Sequence, residues 1–150
     1  MNCNVCAAYL ATTHDMRSKG FHMMYCIGCR PRDKPCAFLK KRCARLRNGR
    51  VEYCFQCPTF PCKSLLAIDK RYRTQFRMSE VENLENIRDN GIDSFLRTER
   101  ARWRCTRCSG VVSCHNGLCF DCDIETLRKK KRLYRWEDEA QNGSKRKAKR

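Results

Sequence analysis

Residues 105–122 read CTRCSGVVSCHNGLCFDC, and this stretch decides most of what the chain can fold into. It contains two Cys-x2-Cys pairs, Cys105/Cys108 and Cys119/Cys122, with ten residues between them. A tight turn lets each pair direct two thiolates at one tetrahedral ion, and the two valines between the pairs suit a strand. The sequence therefore predicts a zinc ribbon in which these four cysteines bind one ion.

Cys114 and His115 lie inside the same hairpin and belong to the residue types that bind metals. The four cysteines around them already complete a tetrahedral structural site, which has no open position. We therefore expect Cys114 and His115 to act in packing or at the surface rather than as ligands.

The first 62 residues carry nine of the fourteen cysteines, enough for two further four-ligand sites. Spacing favours a first site made of two Cys-x2-Cys pairs: Cys3, Cys6, Cys26 and Cys29. The second site takes its ligands from the remaining cysteines of this half, with Cys36 as an alternative to Cys43: Cys43, Cys54, Cys57 and Cys62.

Two local patterns bear on the second site. Leu39, Cys43 and a further leucine recur at helical spacing, which places Cys43 on the inner face of a short helix that Gly49 ends. Pro61 suits the first turn of the following helix, whose positive end favours the thiolate form of Cys62.

A disulfide framework is the competing explanation for so many cysteines, and it needs an oxidising compartment. The first residues lack the basic and apolar regions of a signal peptide, and no apolar run is long enough to span a membrane. We therefore expect a cytoplasmic protein without a membrane partner, whose reduced thiols bind about three zinc ions.

The N-terminal cysteine pattern also resembles a known family. Its segments are CNVCAAY at residues 3–9, CIGC at 26–29 and YCFQCPTFPC at 53–62. Over about residues 1–70 the chain is similar to an uncharacterised cysteine-rich family of archaea and anaerobic bacteria that is regarded as zinc-binding. The resemblance implies a small zinc module without an established reaction or substrate. The chain departs from the family's pattern at Ala7, where proline is frequent, and has no cysteine ahead of Cys3.

These motifs together predict a small mixed α/β protein stapled by metal ions. Four consecutive segments are expected: a cysteine-rich zinc-knuckle lobe at 1–70, a helical connector at 71–104, the zinc ribbon at 105–123, and a basic helix with a flexible tail at 124–150. Asp123 can cap this basic helix, which is expected to run through Tyr134. In the connector, Ser79 to Glu82 has the form of a capping box and Asn90-Gly91 interrupts the helical pattern. Two short helices are therefore expected there.

Charge is the second informative feature. The formal net charge is +17, and residues 1–62 and 128–150 contribute +8 each. Zinc sites with four thiolates carry a charge of −2 apiece, so three of them would still leave a large positive balance. Such a balance points to a polyanionic partner.

Two basic surfaces could contact this partner. We expect RNA rather than DNA, because no sequence-reading helix and no Cys2His2 finger is present. The first surface lies on the outer face of the predicted helix around Cys43: Lys40, Lys41, Arg45 and Arg47. The second combines cations for phosphate contact with aromatic rings for base stacking: Arg128, Lys129, Lys130, Lys131, Arg132, Tyr134, Trp136, Lys145, Arg146 and Lys147.

The sequence thus favours a non-enzymatic zinc protein that binds structured RNA, with ribosomal RNA or a ribosomal particle as the expected target by analogy with small ribosome-associated zinc proteins. The chain contains no phosphate-binding loop, dinucleotide-binding glycine motif, zinc-protease motif or nucleophile elbow. Other functions remain open. The cysteines could hold an iron–sulfur cluster for electron transfer or redox sensing, one pair could be a redox dithiol, or the ribbon could be a protein-interaction adaptor.

Overall fold

The computed structural model describes residues 2–32, 39 and 42–136, and every structural statement below concerns these residues. Regular structure in them is almost entirely helical, and pairing between extended segments is limited to two isolated antiparallel bridges, Arg104–Val111 and Val112–Cys119. The expected mixed α/β fold and the expected zinc ribbon are therefore not supported. The physical reason is that two turns follow each other closely and leave no room for longer strands. In the first, the amide of Cys105 donates to the carbonyl of Gly110, and in the second the amide of Gly117 donates to the carbonyl of Ser113.

The α-helices are numbered here in chain order. Their bounds are α1 Ala7–Thr13, α2 Cys29–Arg32, α3 Ala44–Arg47, α4 Lys63–Phe76, α5 Glu80–Arg102 and α6 Ile124–Lys129. Two 3-10 turns, Cys3–Val5 and Cys54–Gln56, lie at cysteine-rich positions. The helical segments predicted for the connector are present, as is a helix beginning just after Pro61.

The chain divides into two compact units, and each is described by itself. The first, which we call the central unit, comprises residues 1–2 and 28–102, and the second, the terminal unit, comprises residues 3–27 and 103–150. This division cuts across the four consecutive segments predicted from the sequence. The predicted lobe at 1–70 contributes to both units.

Helices α4 and α5 of the central unit are joined by a buried carboxylate. Asp69 of α4 accepts hydrogen bonds from Ser79 Oγ (2.7 Å), Val81 N (3.0 Å) and Arg73 Nε (2.7 Å). Ser79 Oγ in turn accepts the amide of Glu82 at 3.0 Å, which is one half of the predicted capping box. The start of α5 is thus fixed by a side chain of the preceding helix.

Helix α5 is broken at Gly91, whose φ of 78° and ψ of 163° are not helical. Glycine adopts such angles without the steric cost that a side chain would bring. The prediction of two short helices separated at this glycine is confirmed. Phe95 in the second half is buried, as its helical spacing indicates.

The terminal unit has a core drawn from both ends of the chain. Leu10 and Met16 from the N-terminal side pack in one buried cluster with Phe21, Phe120 and Leu127. Burial of these apolar side chains is the main force that holds the two chain segments together. The basic helix predicted to run as far as Tyr134 ends at Lys129 instead. The chain bends there because Leu133 and Tyr134 pack back against this core.

Every cysteine in the described part of the chain is free of disulfides, which agrees with the expectation of metal binding over a disulfide framework. In the same residues, no helix combines the length and the apolar character that a membrane crossing requires.

Candidate metal centre

The C-terminal thiol cluster consists of the four cysteines that the sequence predicts as ribbon ligands: Cys105, Cys108, Cys119 and Cys122. Their sulfur atoms all lie within 4.8 Å of one another. The Sγ atoms of Cys105 and Cys122 are 3.9 Å apart, and those of Cys108 and Cys119 are 3.6 Å apart. Four thiolates around one ion at about 2.3 Å form a tetrahedron with edges of about 3.8 Å. The cluster therefore fits a single tetrahedral ion.

Two turns bring these sulfurs together. In the first turn the amide of Ser109 donates to the carbonyl of Cys105 at 2.9 Å, and Ser109 adopts a positive φ of 62°. In the second, the amide of Asp123 donates to the carbonyl of Cys119 at 2.9 Å. The core residue Phe120 lies in the second turn, so tertiary packing helps to fix the position of Cys119 and Cys122.

Asp123 supports the cluster in a way that the sequence does not reveal. The sequence predicts that Asp123 caps α6, but its side chain makes no capping hydrogen bond there. One carboxylate oxygen instead accepts the amide of Cys119 at 2.8 Å, and the other pairs with Arg107 of the first turn. Asp123 therefore connects the two turns. The only sequence signal is that an acid directly follows the last ligand.

The electrostatics of the cluster favour replacement of protons by a cation. Hydrogen bonds from the amides of Cys108 and Arg107 lower the pKa of Cys105 to about 6. The hydrogen bond with Cys108, together with burial, raises the pKa of Cys122 to about 12. Burial also raises the pKa of Cys119. One thiolate thus forms readily while its neighbours keep their protons, and a divalent ion would displace those protons on binding.

Cys114 and His115 lie outside this cluster and serve in packing. Cys114 is fully buried, and its amide donates to the carbonyl of Val5 at 2.9 Å. His115 Nδ1 accepts the amide of Ala7 at 3.2 Å. Both residues thereby attach the hairpin to the start of α1.

A second group of thiols, the N-terminal thiol cavity, lies in the central unit. Its cysteines line one cavity of about 30 Å³ together with Leu39 and Phe60: Cys43, Cys54, Cys57 and Cys62. The four sulfurs of this cavity do not all lie within 4.8 Å of one another. Among the described residues, the C-terminal thiol cluster is the group whose sulfurs do. Cys43 lies at the residue preceding α3 rather than within a helix, since its backbone is extended there. Cys36 lies outside the described residues.

The thiols of this cavity differ in acidity. Burial raises the pKa of Cys54 to about 11, and the neighbouring thiolates add to the effect. Hydrogen bonds from Thr59, assisted by Arg45, lower the pKa of Cys57. Arg45, predicted to contact RNA, is thus adjacent to a thiol.

The cysteines of the remaining predicted site are divided between the two units. Cys3, Cys6 and Cys26 belong to the terminal unit, whereas Cys29 belongs to the central unit. Burial raises the pKa of Cys6, and the charges of Cys3 and Cys26 raise it further, so these three thiols are neighbours. Cys26 is fixed beside α1 because its amide donates to Thr12 Oγ1 at 2.8 Å.

The predicted RNA-binding residues have different surroundings. Lys129, Lys131 and Arg132 are exposed, whereas Arg128 contacts Glu125 and the carbonyl of Lys19. Arg47 is exposed on α3, and Lys130 is half-buried. Five further predicted residues lie outside the described part of the chain: Lys40, Lys41, Lys145, Arg146 and Lys147.

Tyr134 and Trp136 are engaged inside the terminal unit. The hydroxyl of Tyr134 accepts the amide of Met24 at 3.2 Å, and its ring meets His115 edge to face. The indole of Trp136 covers Gly117 and donates to the carbonyl of Cys114 at 2.9 Å. Both rings are half-buried, so they offer less surface for base stacking than an exposed ring would.

The N-terminal part of the chain is similar to a protein family of unknown function. Residues 1–67 match the model of the family described as "Protein of unknown function (DUF3795)". This agrees with the resemblance to an uncharacterised cysteine-rich family drawn from the sequence. The matched part contains both N-terminal cysteine groups and ends before the C-terminal thiol cluster. Neither the curated proteins nor the solved structures gave a match.

Proposed function

We propose that this protein is a non-enzymatic zinc protein that binds structured RNA through its basic surfaces, with ribosomal RNA or a ribosomal particle as the target. One observation carries the proposal. On a chain of net charge +17, Lys129, Lys131 and Arg132 are exposed and have no acidic partner among the described residues. Cations that repel one another without internal compensation are typical of surfaces that meet a polyanion.

Zinc is favoured over an iron–sulfur cluster by the sulfur separations. In a cluster the terminal thiolates bind different iron atoms, so their sulfurs lie farther apart than around one ion. The separations of 3.6 and 3.9 Å in the C-terminal thiol cluster match a single tetrahedral ion. A closed set of four thiolates leaves no position for a substrate, which favours a structural role over a catalytic one.

Backbone and shape contacts are favoured over reading of bases. Tyr134 and Trp136 use their rings and polar atoms within the terminal unit. Cations are then the main groups left for contact, and they recognise phosphates rather than bases. This mode suits folded RNA, in which phosphates from several strands line crevices.

Metal analysis tests the first half of the proposal. We expect purified protein to contain zinc and to be colourless, with at least one ion per chain in the C-terminal thiol cluster. A brown protein that contains iron and acid-labile sulfide would refute the zinc assignment.

Sedimentation tests the second half. We expect the protein in native lysate to migrate with ribosomal particles in a density gradient at low salt, and to leave them after ribonuclease treatment or at moderate salt. Migration as a free species that ribonuclease does not change would contradict RNA binding. The two halves fail independently, because metal content and sedimentation are measured separately.

A further inference from the structure

Helix α4 carries a groove that differs in chemistry from the thiol sites. Its volume is about 390 Å³, within the range of pockets that hold small organic ligands. The lining combines cations, a hydroxyl and two apolar side chains: Arg42, Lys63, Ser64, Ala67, Ile68 and Arg71. We call it the basic groove.

The groove follows one face of α4. Lys63 and Arg71 are eight residues apart, which corresponds to about 12 Å along a helix axis. Ala67 lies midway between them, and its small side chain leaves the space that forms the depression. Arg42 reaches the groove from outside this helix. Three cations therefore surround a floor that is apolar.

Nothing in α4 offsets this positive charge. Its first turn contains no acid, although acids are favoured at the positive end of a helix. Cys62, which precedes the helix, makes no side-chain capping hydrogen bond to the first turn. The acid of this helix, Asp69, is buried against Ser79 and Val81 and is therefore unavailable to the groove. Among the described residues, Lys63 and Arg71 have no acidic partner; Arg71 Nε donates to Gln75 at 3.3 Å.

The basic groove and the N-terminal thiol cavity share no lining residue. The thiol cavity has a cation of its own, since Arg45 adds to the hydrogen bonds from Thr59 that lower the pKa of Cys57. Lys63 and Arg71 thus have no acidic partner among the described residues and take no part in lining the thiol cavity.

We propose that the basic groove binds the phosphate group of a nucleotide. Arg42, Lys63 and Arg71 supply the charge, Ser64 supplies a hydroxyl donor, and the sugar and base lie against Ala67 and Ile68. Charge-assisted hydrogen bonds to phosphate and burial of the apolar part of the ligand both favour this arrangement. The nucleotide comes either from an RNA strand, in which case the groove deepens the proposed function and rests on it, or from a free mononucleotide.

Binding of two probes to the zinc-loaded full-length chain tests the proposal. The first probe is a fluorescent oligouridylate of about ten nucleotides, a length within the usual site size, and the second is AMP. We expect Lys63→Ala and Arg71→Ala each to weaken binding of the relevant probe roughly tenfold, as loss of one charge-assisted hydrogen bond predicts. For the oligonucleotide, each substitution should also lower the salt dependence, by about 0.7 in the slope of log K against log salt.

The matched control is Lys70→Ala. Lys70 is exposed on the same helix but does not line the groove, so this variant removes one charge without touching the site. We expect its affinity to stay within about twofold of wild type. Ala67→Glu is a second groove variant that keeps every cation and places a carboxylate on the floor, and it should abolish binding. Far-UV circular dichroism and zinc content establish that each variant is folded.

The outcomes separate the two sources and the two proposals. Oligonucleotide binding that AMP does not displace, and that groove variants weaken, assigns the groove to an RNA strand. The protein could instead bind AMP, with Lys63→Ala weakening this binding, and not migrate with ribosomal particles. This result would support the groove proposal and contradict the proposed RNA function. Two results would refute the groove proposal, whatever the sedimentation experiment shows. The first is an equal loss of probe affinity in Lys70→Ala and in the groove variants, and the second is unchanged affinity in a folded Ala67→Glu variant.

Discussion

The indole N–H of Trp136 donates a 2.9 Å hydrogen bond to the carbonyl oxygen of Cys114, which lies between the two ligand pairs of the C-terminal thiol cluster. The same ring covers Gly117 in the turn that precedes Cys119. Trp136, which follows the cations at 128–132, is therefore attached to the loop between the ligand pairs Cys105/Cys108 and Cys119/Cys122.

Removal of two ligands tests the metal centre. We expect Cys105→Ser combined with Cys108→Ser to lose one metal ion per chain, because two thiolates cannot complete a tetrahedral site. Thermal stability should fall as well, since the binding energy of a structural ion is folding energy. Elemental analysis and thermal unfolding measure both effects. The control is Cys114→Ala, which removes a buried cysteine outside the cluster and should leave metal content unchanged; loss of an ion in that variant would contradict the assignment.

Substitution of Gly117 tests the contact with Trp136. A Cβ at this position would collide with the indole ring, and the φ of 73° is unfavourable for any side chain. Gly20 in the same unit has a similar φ of 81° but open space around its Cβ position. We therefore expect Gly117→Ala to cost about 1–3 kcal/mol more than Gly20→Ala, the usual cost of overpacking. Denaturant unfolding of both variants measures the difference, and equal losses would show that only backbone strain matters.

The buried carboxylate that joins α4 to α5 predicts a loss of stability on neutralisation. Asp69→Asn removes the charge that three donors satisfy, and we expect the free energy of unfolding to fall by about 1–3 kcal/mol. Asp89→Asn is the control, because Asp89 pairs with Arg88 on the exposed surface. Its effect on the free energy of unfolding should be much smaller than that of Asp69→Asn.

The same residue predicts a dependence on pH. Burial acts to raise the pKa of Asp69, but the hydrogen bonds from Val81, Ser79 and Arg73 outweigh it and lower the pKa below its ordinary value of 3.8. A carboxyl with a lowered folded pKa stabilises the fold above the unfolded pKa, and this stability is lost as the pH falls through the folded value. We expect wild type to lose stability more steeply than Asp69→Asn below about pH 4. Parallel acid profiles in urea would refute the prediction.

The exposed cations predict a salt-dependent loss of RNA affinity. Replacing Lys129, Lys131 and Arg132 with alanine should lower the slope of log K against log salt by about 2, if each cation contacts one phosphate. A variant of equal charge in the central unit serves as control: Lys70, Arg97 and Arg100 to alanine. Filter binding or fluorescence anisotropy between 50 and 200 mM salt measures the RNA affinity of both variants. If wild type makes about six phosphate contacts, its affinity should fall roughly thousandfold over this range. Equal effects of the two triple variants would indicate attraction by net charge alone.

Short-range patterns of the sequence predicted the local structure well. Cys-x2-Cys spacing identified the four members of the C-terminal thiol cluster, because two residues are the right length for one tight turn. The pattern from Ser79 to Gly91 predicted where α5 begins and breaks, because capping and a positive φ depend on neighbouring residues. The net charge of +17 follows from the sequence alone, because a sum of charges does not depend on the fold.

Only the tertiary structure decided how distant parts of the chain combine. Residues 3–27 share a core with residues 103–136 because Leu10, Met16, Phe120 and Leu127 bury their apolar surface together, and no local pattern encodes which apolar stretches will meet. The basic helix ends at Lys129 for the same reason, since packing of Leu133 and Tyr134 outweighs helical propensity. The basic groove likewise depends on Arg42 meeting α4, which spacing along the chain does not reveal.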